Sequence, residues 1–93
     1  MKLVEFAKAV GIEIEIYCPI GRASADREGR WLASIRKCEV KEGSILTSTY
    51  GKGKTPDSAY DNLVNELKGK TIVINAYNDT LRREYLLPED LEY

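Results

Sequence analysis

Histidine is absent from this 93-residue chain, and cysteine, phenylalanine, tryptophan and methionine are scarce, at two, one, one and one. Without histidine the usual general acid or base near neutral pH is missing, so no catalytic residue is expected and the chain reads as non-enzymatic. A metal centre is equally poorly provided for. Cys18 and Cys38 stand apart, with no C-x-x-C pair and no imidazole, so no metal ligand and no cofactor are expected. No apolar run is long enough to span a bilayer, and Met1 to Gly11 is too short and too charged for a signal peptide. A reducing cytoplasm is the expected compartment, with both thiols reduced and buried as small apolar groups. A strong net charge is missing too. Fourteen basic residues face fifteen acidic ones, net −1, whereas a protein that grips nucleic acid by charge is usually basic overall. The acids crowd the end: residues 88–93 hold Glu89, Asp90 and Glu92 and no base, so residues 1–87 are slightly positive.

What is present suits one small α+β domain over residues 1–87 followed by an acidic tail over 88–93, expected to fray. The apolar fraction, 43%, is that of an ordinary globular chain. A core this small is marginal, and a homodimer is one common remedy. Leu3, Phe6, Ala7 and Val10 recur at helical spacing over residues 2–10, with Gly11 as the C-cap. Over residues 12–18, Ile12, Ile14 and Ile16 alternate with Glu13, Glu15 and Tyr17, which predicts a strand with one buried and one wet face. Gly21 to Gly29 is polar and reads as a mobile loop. A second strand over 30–40 changes parity, from Trp31, Ala33 and Ile35 to Cys38 and Val40, so a bulge is expected near Arg36-Lys37. Residues 45–50 return as a third strand, paired with the second as a hairpin. Residues 55–68 form the clearest helix, with Thr55 as N-cap, Pro56 at the first position and Asp57 at the positive end of the dipole. Its stripe is Ala59, Tyr60, Leu63, Val64 and Leu67, and Gly69 stops it. Strands follow over 71–77 and, after a turn, over 82–87. The order α-β-β-β-α-β(-β) predicts an antiparallel sheet with its helices packed on one face.

Gly51-Lys52-Gly53-Lys54-Thr55 invites comparison with a phosphate-binding P-loop, but the pattern requires glycine where Ser48 stands. It reads instead as a flexible turn before an N-cap. Lys52 and Lys54 beside helix N–H groups remain candidate anion contacts, opposed by Asp57. The α-β-β-β-α order, with Gly51, Gly53, Thr55 and Ala59 leading into the helix, resembles a double-stranded-RNA-binding domain over roughly residues 2–69. Pro56 and Asp57 occupy the places of that family's two phosphate-gripping lysines, so the resemblance implies topology more than RNA binding. Gly53, Thr55, Asp57 and Ala59 after three strands also resemble the HicB-like antitoxins, without their C-terminal DNA-binding extension. Gly-Lys-Thr-Pro followed by Lys-Gly-Lys-Thr-Ile-Val is similar to segments of small phage and prophage proteins.

Two surfaces compete for the function. Tyr17, Glu13, Glu15, Tyr50 and Tyr77, with Tyr85, are expected to gather on the open sheet face and to dock a protein, because tyrosine is enriched in interfaces. Arg36, Lys37, Arg82, Arg83, Lys52 and Lys54, aided by Lys41, are the alternative, a basic face for RNA or single-stranded nucleic acid. The leading expectation is a non-enzymatic interaction protein, of the kind a phage or prophage uses against a host or phage protein.

Overall fold

Leu3, Phe6 and Ala7 fall on the buried side of a helix, α1 (Leu3–Val10), which stops where Gly11 turns left-handed at φ 81° and donates its N–H to the Ala7 carbonyl at 2.9 Å. The chain then enters β1 (Glu13–Tyr17). The computed structural model describes residues 1–18 and 31–92, so the loop read between Gly21 and Gly29 lies outside the described residues. Beyond it run β2 (Trp31–Arg36), β3 (Glu39–Glu42), β4 (Ile45–Thr47), β5 (Tyr50–Gly53), α2 (Pro56–Leu67), β6 (Thr71–Ile74) and β7 (Arg83–Leu86). The α+β class, the antiparallel pairing and the expected element order all hold.

The parity change has the expected physical origin. Lys37 adopts φ 68° between β2 and β3, and the switch carries the buried set from Ala33 and Ile35 to Val40. The break is wider than a single bulge. Between the pairs Ser34↔Tyr50 and Val40↔Thr47, one side of the hairpin carries residues 35–39 and the other only Ser48 and Thr49. The surplus divides the pairing into two sheets, ordered β1-β2-β5 and β4-β3-β6-β7.

Gly51-Lys52-Gly53 is not a flexible turn. It is most of β5, paired with β2 at Trp31↔Gly53 and Ala33↔Gly51. The glycines are there because α2 lies on the strand. A Cβ built on Gly51 would run into the backbone of Ala59 and Leu63 and come within 2.8 Å of the Asn62 carbonyl carbon. One on Gly53 would meet Ser58 and stand 2.5 Å from the Ala59 nitrogen. The helix begins as its sequence requires. The Thr55 hydroxyl accepts the Ser58 N–H and the Ser58 hydroxyl accepts the Thr55 N–H, both at 3.1 Å, a closed capping box with Pro56 next in line. Its stripe of Ala59, Tyr60, Leu63, Val64 and Leu67 is buried, as the spacing predicts.

Expectations about burial fail along β1, where Ile14 is only half-buried, and in the terminal segment. Ile16 is 41% exposed, whereas Ile12 is buried. Burial declines along β1 with distance from the α1 junction, and Ile16, opposite the short Ala33, lies at the far end. The acidic terminal segment does not fray. Leu87 and Leu91 belong to the core, and the Glu92 carbonyl accepts the Leu3 N–H at 3.0 Å while the Glu92 N–H reaches the Met1 carbonyl at 2.8 Å. Lys2 offers α1 no side-chain cap, so the C-terminal backbone satisfies a helix donor that would otherwise be orphaned.

Gly51→Ala inserts a methyl against helix backbone that has no rotamer to yield, so its cost lies at or above the usual overpacking range of about 1–3 kcal/mol. Thr55→Ala, which only opens the capping box, costs on the order of 1 kcal/mol. Urea melts showing Gly51→Ala to be the milder of the two would mean that α2 does not rest on β5. Leu91→Ala is expected to lose about 2–5 kcal/mol; an unchanged melt would show that the terminal segment is dispensable.

Candidate functional site

Residues directly opposite in an antiparallel pair point to the same side, so register assigns each side chain to a face. Ala33, Ile35 and Gly51 face α2. Their neighbours must face away, in rows that cross the first sheet: Tyr17–Leu32–Lys52, then Glu15–Ser34–Tyr50, then Glu13–Arg36. In the second sheet the same side carries Glu39–Val73–Glu84 and Leu46–Lys41–Thr71–Leu86. No described helix covers this side of the first sheet, whereas in the second sheet Val73 is fully buried on it.

The open face of the first sheet thus joins four of the expected protein-binding residues, Glu13, Glu15, Tyr17 and Tyr50. Tyr17 is 41% and Tyr50 51% exposed, and the Lys52 ammonium lies 5.5 Å from the Tyr50 ring centroid. Leu32 and Ser34 complete it. They were legible from the alternation with Trp31, Ala33 and Ile35. Two tyrosines do not join them. Tyr85 is opposite Ile72 and turns inward, edge-on to Phe6 with centroids 5.5 Å apart. Tyr77, 88% exposed, sits in the turn after β6 rather than in a strand.

The basic residues are dispersed, and several are already engaged. Arg36 pairs with Glu15 at 3.0 Å and Lys37 with Glu13 at 2.8 Å. Glu84 takes both Arg82 at 2.9 Å and Lys41 at 3.3 Å. Arg83 is opposite Ile74, on the helix side, and donates to the Arg82 and Thr80 carbonyls. Lys54 lies in the link into α2. The anion site expected there is poorly supplied with donors: Pro56 has no N–H, the Ser58 N–H goes to Thr55 Oγ1 and the Ala59 N–H to the Thr55 carbonyl.

Two shallow depressions lie on the described surface. One, of about 450 Å³, runs beside β5 and is lined by Ser48, Thr49, Tyr50, Gly51, Lys52, Asn62 and Glu66. The Asn62 amide donates to the Lys52 carbonyl there, closing part of the strand edge. The other, of about 430 Å³, lies at the β2–β3 break beside Asn75 to Asn78 and includes Cys38. Neither cysteine is fully buried as expected, because Cys18 lies just past β1 and Cys38 in the break; they are not joined to each other. Burial still pushes the Cys38 thiol up to about 11, so it stays protonated near neutral pH and is a poor nucleophile. Among the described residues no His, Cys, Asp and Glu side chains gather in a metal-binding group, and no helix is long and apolar enough to cross a membrane.

No protein-family model, curated protein or solved structure matches the chain. The face must therefore be read from its own chemistry. A hydrogen bond from Lys37, and then its charge, hold the Glu13 carboxyl below its ordinary value. Glu84 is lowered likewise by hydrogen bonds from Arg82 and Lys41. A depressed carboxylate contributes its pairing fully above the unfolded pKa and loses it as pH falls through the folded one. The pairings of Glu13 and Glu84 accordingly persist further into acid than an ordinary glutamate's charge would.

Carbon-detected NMR titration should find the Glu13 midpoint below that of an isolated glutamate, and Lys37→Ala should return it upward. A midpoint indifferent to Lys37→Ala would remove the pair from this face.

Proposed function

We propose that the chain is a non-enzymatic interaction domain that docks a partner protein on the open face of β1, β2 and β5. The observation that carries the reading is the company Tyr17 and Tyr50 keep. Two exposed rings flank Leu32 and Ser34 on a surface whose carboxylates, Glu13 and Glu15, are matched by Lys37 and Arg36. Aromatic groups in a nearly charge-neutral surround suit the centre of a protein interface, where unpaired charge is depleted. The setting we favour is that of a phage or prophage accessory protein acting in the cytoplasm on a host or phage protein, which rests on the sequence likeness alone.

RNA or single-stranded nucleic acid is the second reading, favoured by the Lys52 ammonium beside the Tyr50 ring. It needs a run of cations along a backbone path. Arg36, Lys37 and Arg82 are engaged by carboxylates, Arg83 is on the helix side, and Lys54 stands in the link beyond β5.

Affinity capture with the tagged chain separates the two. The joint change Tyr17→Ala and Tyr50→Ala should abolish retention of the partner and leave the thermal melt nearly unchanged, since exposed rings contribute little core. The joint change Lys54→Glu and Arg83→Glu should leave retention intact. Retardation of single-stranded RNA or DNA that fades steeply with salt and is lost in the lysine–arginine variant would replace this function with the second.

A further inference from the structure

The proposed docking face has a shape and a residual charge that narrow its partner, an inference that rests on the protein-binding reading above. Tyr17 stands on β1 in one row and Tyr50 on β5 in the next, with β2 between them. Two strand spacings and one two-residue step separate their Cα atoms by roughly 12 Å. The floor between the rings is Leu32 and Ser34, one apolar and one small. This is a cradle for a single large side chain. Its charge is not balanced at one corner. Glu13 and Glu15 are taken by Lys37 and Arg36, whereas Lys52 has no carboxylate at ion-pair distance among the described residues and leans toward Tyr50. Lys52 is directly opposite Leu32, their Cα atoms about one strand spacing, roughly 5 Å, apart, and its ammonium stands beside the Tyr50 wall of the cradle.

We infer that the cradle takes an extended segment of a partner protein bearing a large apolar side chain and, two residues along, a carboxylate. In an extended chain, side chains two residues apart share a face and lie about 7 Å from one another. That step carries an acid from a side chain seated between Tyr17 and Tyr50 to the Lys52 ammonium. The apolar anchor buries the exposed ring surfaces, and the acid completes the charge pairing that the rest of the face already has. A phosphate chain would meet one cation where it needs several.

Panning random peptides of about twelve residues on the intact chain tests this. The expected consensus has an aromatic or large aliphatic residue with Asp or Glu two positions away. In fluorescence anisotropy, replacing that acid with Lys in a labelled consensus peptide should weaken binding to the chain by roughly fivefold, the scale of one exposed ion pair. Lys52→Glu should reverse the preference, and Tyr17→Ala should weaken both peptides. No enrichment, a consensus without an acid, or a preference that survives Lys52→Glu overturns the inference. If the chain still captures a folded protein through Tyr17 and Tyr50, the docking reading stands without it. If single-stranded RNA displaces the peptide and binds more tightly, both readings fall together.

Discussion

The missing side chains of Gly51 and Gly53 are the constraint on which the rest of the domain depends. With no Cβ at either position, the first half of α2 presses its backbone onto β5, closer than any other residue type would permit. That contact fixes which side of the β1-β2-β5 sheet is buried, and so commits Ala33 and Ile35 to the core. It also shapes the opposite face. Because alternate residues of β5 are glycines turned toward the helix, all the side-chain bulk of that strand belongs to Tyr50 and Lys52, which must point away from it. The packing requirement and the proposed docking surface are two sides of one alternation.

The two ends of the chain close the molecule by a different device. α1 is short for an isolated helix and begins at a lysine that gives it no side-chain cap. The Glu92 carbonyl supplies the missing acceptor, while Leu91 and Leu87 add apolar surface beside Leu3, Phe6 and Ala7. The core is thereby extended by residues whose composition alone reads as solvated.

Local chemistry was legible in the sequence and long-range pairing was not. The α2 cap, the Gly11 stop, the alternation of β1 and the parity change at Lys37 each express a rule that operates within a few residues. Tyr17 and Tyr50 could be assigned to the open face from alternation and pairing. Tyr85 could not, because its direction depends on its register with Ile72 and on Phe6, far away in the chain. The glycines of β5 read as a turn since glycine signals both flexibility and close approach, and only the position of α2 distinguishes them. Leu91 was passed over because three carboxylates outweigh one leucine in any local measure of polarity.

Under the proposed docking function, the ion pairs on the open face have more bearing on recognition than on stability. The side chains of Arg36, Glu15, Lys37 and Glu13 are all substantially exposed, and exposed pairs contribute between nothing and about 1 kcal/mol each. What such pairs alter is the field that an approaching molecule meets. Unpaired, Glu13 and Glu15 would repel an acidic segment, and Arg36 and Lys37 would attract polyanions of every kind. Paired, they leave a surface with little long-range preference and one local surplus at Lys52. Selectivity then depends on short-range fit around Tyr17, Leu32, Ser34 and Tyr50, where a single misplaced charge or an absent apolar anchor is felt directly. The same logic gives the face a pH limit. Once Glu13 protonates, Lys37 loses its match and becomes a second surplus cation beside Lys52, so discrimination against polyanions is a property of the pH range in which that carboxylate stays charged.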